Sequence, residues 1–194
     1  WAASADSFDL APGLSRSVLR HVDGGTLRPV QWYFDNLLPE ERLRETVSKE
    51  ADLQGDDAFS LLEYLGAEST GSLVLLPPGQ SLPESGGLQA LTDQALSQRI
   101  RDLPRVSLAK GAPKRMSVAG AQNKLLVVYR DGQLFEPVGM EPSTHLLKPD
   151  HTSDDYPASV INEYVTMRLA DKLGLPVPRV FRRYVPEPVY LVER

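Results

Sequence analysis

Cysteine is absent from the 194 residues, which excludes disulfides, thiolate metal sites and a cysteine nucleophile. That absence suits a reducing compartment, so a cytoplasmic location is expected. Long apolar runs are missing too: no stretch approaches the roughly 20 residues a membrane-spanning helix needs, and no membrane partner is expected. Asp6 and Asp9 stand where a signal peptide would place a basic and then an apolar segment. Histidine is scarce, and His145 and His151 have no acid at a metal-ligand spacing beside them, so no metal site is expected and His145 reads as a strand residue with a local hydrogen bond. Neither GxGxxG nor GxxxxGK[ST] occurs.

Hydrophobic residues make up 41% of the chain, enough to bury a core in one large domain or two small ones. The net charge of −5 argues against a general nucleic-acid coat, but basic residues are locally concentrated. From Pro104 to Arg130 the charged side chains are Arg105, Lys110, Lys114, Arg115, Lys124 and Arg130, with no acid among them. Such a patch is either a solvated basic face or a site for a polyanion such as a nucleoside triphosphate.

The first part reads as mixed α/β, mostly helical. Pro39 with Glu40 and Glu41 suits the first turn of a helix running towards Leu53 and ended by Gly55. Asp56 then offers an N-cap for a short helix over Ala58 to Leu65, closed by Gly66. Ser72 to Leu76 resembles a buried strand stopped by proline, and Thr92 or Asp93 can cap a helix through Leu103. The Pro, Gly and Lys rich stretch from Leu103 to Met116 marks a connection. Beyond it, Asp131-Gly132 between Leu125–Tyr129 and Leu134–Val138 signals a hairpin, because Asp-Gly accepts the positive φ that a tight turn demands. Thr144 to Lys148 is the next strand, ended by Pro149. A helix follows from Pro157 to Leu173, with Ile161, Val165, Leu169 and Leu173 four apart and Gly174 as its stop. Val177 to Tyr184 and Val189 to Val192 complete the set as strands.

Met116 to Lys124 is a run of mostly small residues opening into an apolar strand. Small side chains let backbone N–H groups approach an anion, and Lys124 adds positive charge, so the run reads either as a phosphate-facing loop or as an ordinary hairpin entry. Its sequence context favours the loop. A small-residue loop, then a strand bearing Lys148, then a helix bearing Glu163 is the order found in protein-kinase N-lobes, where the lysine binds phosphates and the glutamate orients it.

Five segments in order also resemble the HipA family of serine/threonine kinase toxins: Met116 to Lys124, Pro142 to Lys148, Asn162-Glu163-Tyr164, Gly174 to Pro178, and Leu191 to Arg194. Trp32 to Glu40 resembles that family's N-terminal subdomain. The resemblance implies an α+β fold, with residues 1–110 as the N-terminal subdomain and 111–194 as a kinase-like N-lobe of antiparallel sheet and one helix. It implies ATP and Mg²⁺ as cofactors and phosphorylation of a cytosolic protein such as an aminoacyl-tRNA synthetase. A HipB-type antitoxin is the implied partner, with DNA reached through it. Carried over by position, Val118, Ala119, Gly120, Ala121, Gln122, Asn123 and Lys124 would cover the ATP phosphates, and Lys148 would hold phosphoryl oxygens with Glu163 orienting it. Glu193 would lie where the backbone meets adenine. Ser117 matches the loop serine that the family autophosphorylates, and a phosphate there would expel the loop by repulsion. Asn123, where relatives often carry Glu or Pro, departs from the pattern.

No catalytic aspartate or metal-binding aspartate follows Leu191-Val192-Glu193-Arg194, so the chain is expected to be an N-terminal fragment that is inactive alone. The competing expectation is a non-catalytic module that docks an antitoxin or partner subunit through its basic loop.

Overall fold

The computed structural model describes residues 33–66, 74–76, 78–81, 84–114, 116 and 118–194. Its elements are α1 (Glu41–Ala51), α2 (Ala58–Leu65), β1 (Gly86–Ala90), α3 (Asp93–Arg101), β2 (Leu125–Arg130), β3 (Gln133–Gly139), β4 (His145–Pro149), α4 (Ser159–Lys172), β5 (Val180–Tyr184) and β6 (Pro188–Glu193). The class is α+β. All six strands join one antiparallel sheet in the order β1-β3-β2-β4-β6-β5.

The two helices of the first unit bury an apolar cluster of Leu38, Val47, Ala58, Leu61, Leu62 and Leu65. Burying an aliphatic side chain of this size contributes roughly 1.5–3 kcal/mol. Two expected helix starts shift. Pro39 lies outside α1, bridged to Gly120, and Glu40 is the N-cap; the helix then ends at Asp52 in the left-handed region, ahead of Gly55. Asp57, and not Asp56, caps α2, because only Asp57 stands three residues before Ser60, whose N–H it accepts at 3.1 Å. The strand expected over residues 72–76 is not formed by Val74 to Leu76, where the Leu75 N–H instead bonds the Gly66 carbonyl; residues 72 and 73 lie outside the described residues.

In the sheet, Leu125 to Val128 are buried at every position, as a strand covered on both faces requires. The hairpin turn forms at Asp131 (φ 51°) and Gly132 (φ 76°), both in the left-handed region. Sequence reading had no signal for β1. Its Gly-Gly-Leu-Gln-Ala lacks alternation, yet it pairs along β3, and Gly86 passes so close to Glu141 that a Cβ would sit 2.3 Å from that residue's nitrogen. Thr92 caps α3 through the Ala95 N–H at 3.2 Å. From α3, Arg99 grips Glu136 of β3 with two bonds of 2.6 and 3.0 Å, and Glu136 is 1% exposed. Arg183 on the edge strand β5 reaches Asp93 at the start of α3 at 2.6 and 2.8 Å, bringing the far edge of the sheet towards that helix.

Leu91, Leu96 and Leu108 share their core with Leu125, Leu147 and Leu191, so the sheet unit draws on residues either side of position 110. Its contact with the helical unit is polar as well as apolar: Glu50 of α1 accepts the backbone N–H and the hydroxyl of Ser107, each at 2.7 Å.

Candidate functional site

Lys148 is the fourth residue of β4, an interior strand, and Glu163 lies in the second turn of α4, which crosses β4, β6 and β5. The sequence between them builds the crossing. Asp150 turns back to accept the Val160 N–H at 2.8 Å, fastening the helix start where Ala158, in the left-handed region, offers no side-chain cap. His151 donates its backbone N–H to the Ser159 hydroxyl at 2.8 Å. So anchored, α4 brings Glu163 to the Lys148 ammonium at 2.7 Å, with side chains 20% and 31% exposed for lysine and glutamate.

The loop before β2 sits beside this pair. Gly120 has φ 103°, outside what an L side chain readily adopts, and a Cβ there would lie 2.6 Å from the Lys124 Nζ. That ammonium donates to the Ala119 carbonyl, closing the loop on itself. Burial depresses the Lys124 pKa first, and the positive charge of Lys148 second, against the opposing pull of Glu40 and Glu163. Two ammonium groups, Lys124 and Lys148, and two carboxylates, Glu40 and Glu163, therefore form a single electrostatic cluster at the loop. From the other side the loop is held by the helical unit, since the Glu40 N–H bonds the Gly120 carbonyl at 3.4 Å.

The loop residues divide by direction. Val118 is 8% exposed and packs in the core with Met116, so only its backbone is available to a ligand. Gln122 shares a pocket of about 370 Å³ with His151, Asp155, Tyr156, Asn162 and Glu163. Ala121 and Asn123 line a neighbouring one of about 240 Å³ with His151 to Ser153 and the start of α1. Ser117 and Arg115 lie outside the described residues.

Glu193 stands apart from the cluster. It is the last residue of β6, three beyond Tyr190, which pairs with Lys148, and its carboxylate holds Arg179 at 2.7 and 2.8 Å. Arg179 depresses its pKa, chiefly through those hydrogen bonds. Opposite Glu193, His145 is buried, bonded through Nδ1 to the Thr144 hydroxyl at 2.7 Å and packed against Tyr129 and Phe181. Burial lowers its pKa, with Glu193 opposing and Arg179 adding.

Sequence reading missed Tyr190 and Arg182. Tyr190 is 2% exposed beneath α4; burial, then the Glu163 charge, pushes its phenol up to about 12. The guanidinium of Arg182 lies over the Tyr164 ring, 5.4 Å from its centroid. The signal that could have found them is cross-strand register, which a single chain does not display.

The expected stripe of α4 also turns the other way: Val165, Leu169 and Leu173 are 54%, 55% and 71% exposed, and Val160 is the residue of this helix that is fully buried. Spacing gave a helix, but the sheet receives the face carrying Glu163 and Tyr164.

Known proteins resemble this chain in sequence and fold. Residues 1–76 match the HipA N-terminal domain and residues 116–194 the HipA-like C-terminal domain. Y4mE of Sinorhizobium fredii is 38% identical over 188 residues, 93% of this chain and 44% of that protein. The serine/threonine-protein kinase toxin HipA of Shewanella oneidensis is 33% identical over 196 residues, 94% of this chain and 44% of the toxin. A solved chain from the complex of Shewanella oneidensis HipA, HipB and operator DNA matches with a TM-score of 0.69 at 30% identity, over 88% of this chain and 39% of that one. The chain thus spans less than half the length of these relatives. Two domain matches in the right order, carried on a shared α+β fold, establish that this chain belongs to the HipA family.

Proposed function

We propose that this chain supplies the nucleotide-binding half of a HipA-like serine/threonine kinase. The observation that carries the reading is the Lys148–Glu163 ion pair at 2.7 Å, set beside the loop closed by Lys124. Phosphoryl transfer needs a lysine held in place for the phosphate oxygens, and a carboxylate on the adjoining helix holds it. The half-buried setting strengthens that interaction over one in open water.

In this reading ATP enters with its phosphates under residues 118–124 and against Lys148, while the end of β6 at Glu193 lies towards adenine. Lys124 must give up the Ala119 carbonyl or share its protons with a phosphate oxygen. Mg²⁺ accompanies the nucleotide. Among the described residues no three His, Asp or Glu side chains gather as a metal site. Ser117 is the proposed phosphoacceptor of the loop, and its phosphate would displace ATP by repulsion. The solved relative assembled with HipB and operator DNA supports a HipB-type antitoxin as partner, with DNA reached through it. A cytoplasmic protein, of the aminoacyl-tRNA synthetase type, is the proposed substrate.

Calorimetric titration of ATP·Mg²⁺ into the 194-residue chain, and into any longer protein that carries it, tests the reading. Lys148→Ala removes a charge-assisted contact of about 1.5–3 kcal/mol, so the affinity should fall roughly 10-fold or more. An unchanged affinity, or no nucleotide binding by the longer protein, overturns the assignment and leaves the non-catalytic docking module.

A further inference from the structure

Three residues on adjacent strands share one row of the sheet: Lys148 of β4 is opposite Tyr190 of β6, which is opposite Arg182 of β5. Directly opposed residues of antiparallel strands project from the same face, and here that is the face α4 crosses. Two consecutive helix residues meet the two ends of the row. Glu163 takes Lys148 at 2.7 Å, and the Tyr164 ring takes the Arg182 guanidinium at 5.4 Å, with the Tyr184 ring 5.5 Å from the same guanidinium. Tyr190 fills the middle and is buried.

Beyond Val160, the apolar packing of α4 is only partial, with Ile161, Tyr164, Met167 and Ala170 half-buried. Val160 is its fully buried residue, and Val165, Leu169 and Leu173 face outward. A helix packed in this way can still roll about its axis beyond its anchored start, and a roll that draws Tyr164 off Arg182 also draws Glu163 off Lys148, because consecutive residues are fixed about 100° apart on the helix. We propose that Arg182 is a positioning residue for the Lys148–Glu163 pair, acting through the Tyr164 ring to set the rotation of α4. Its bearing on nucleotide affinity rests on the function proposed above; its effect on the ion pair does not.

The guanidinium touches no proposed nucleotide contact, so its influence is read at Lys148. An exposed cation–π contact is worth a factor of about two to five in the populations it separates. Amine acetylation of the folded 194-residue chain, quantified by mass spectrometry at Lys148 against the exposed Lys110 in the same sample, reports how often the ammonium leaves Glu163. Arg182→Gln should raise the Lys148 rate about two- to fivefold with Lys110 unchanged. Tyr164→Leu should match it, and Tyr164→Phe, which keeps a ring under the guanidinium, should keep the wild-type rate. In a Glu163→Gln background, Arg182→Gln should have no further effect, a non-additivity that simple loosening of the fold would not produce.

An unchanged Lys148 rate in Arg182→Gln overturns the inference, as does a Tyr164→Phe rate equal to that of Tyr164→Leu. ATP·Mg²⁺ added during labelling separates the two proposals. If it fails to protect Lys148 in a longer protein that carries this chain, while Arg182→Gln still raises the rate in the 194-residue chain, the positioning role stands and the nucleotide reading falls.

Discussion

Arg99→Met should be among the most destabilising single substitutions in the sheet unit. Glu136 is 1% exposed and both its oxygens are taken by the Arg99 guanidinium, at 2.6 and 3.0 Å, so removing the arginine strands a buried carboxylate between α3 and β3. Breaking a buried pair from one side costs about 3–5 kcal/mol, because the remaining charge keeps its desolvation penalty and loses its partner. For a chain of this length that corresponds to a fall in Tm of roughly 10 °C. The reverse truncation should be milder. Arg99 keeps 19% of its side chain exposed and can turn to water, so Glu136→Leu should cost about 1–2 kcal/mol. The double variant Arg99→Met/Glu136→Leu replaces the pair with apolar volume and should recover most of the Arg99→Met loss. Urea denaturation followed by circular dichroism at neutral pH measures all three. Additive losses in the double variant, or an Arg99→Met cost below about 1 kcal/mol, would refute the argument that the pair is desolvated and mutually dependent.

Gly120→Ala forces a side chain onto a backbone at φ 103° and into the Lys124 ammonium, which can swing aside, so the cost is mainly conformational at about 1–3 kcal/mol; a urea midpoint equal to that of the wild type would show that the loop relaxes freely. The pH dependence of stability should carry a His145 component. Its folded pKa is depressed, mainly by burial, so the unfolded chain binds the proton more readily and stability falls as pH drops through the ordinary value of about 6.5, levelling off below the folded pKa. His145→Phe, which keeps a ring against Tyr129 and Phe181, should lose that component; equal stability losses in both proteins between about pH 7.5 and about pH 5 would remove His145 from the account.

The elements that announced themselves in sequence did so through strong local chemistry. Asp131-Gly132 specified a turn because few other dipeptides take two positive φ angles, and the structure has both. Thr92 capped the start of α3 in the same local way. Local rules failed where a distant partner decided the matter. Asp150 supplied a cap to a helix starting nine residues later, and Gly86 to Ala90 became a strand only because β3 offered a free edge.

The sequence by itself determined the family order of loop, lysine strand and glutamate helix, the hairpin, and the absence of cysteine chemistry, because each is encoded in residue identity and short spacing. Only the tertiary structure decided that Lys148 and Glu163 meet at 2.7 Å, that Val118 turns into the core and that the apolar stripe of α4 faces outward. It also decided that Tyr190 and Arg182 complete the row beneath that helix. The physical reason is register: which side chains share a face depends on how strands far apart in the chain align, and spacing along one strand carries no record of its neighbour's alignment.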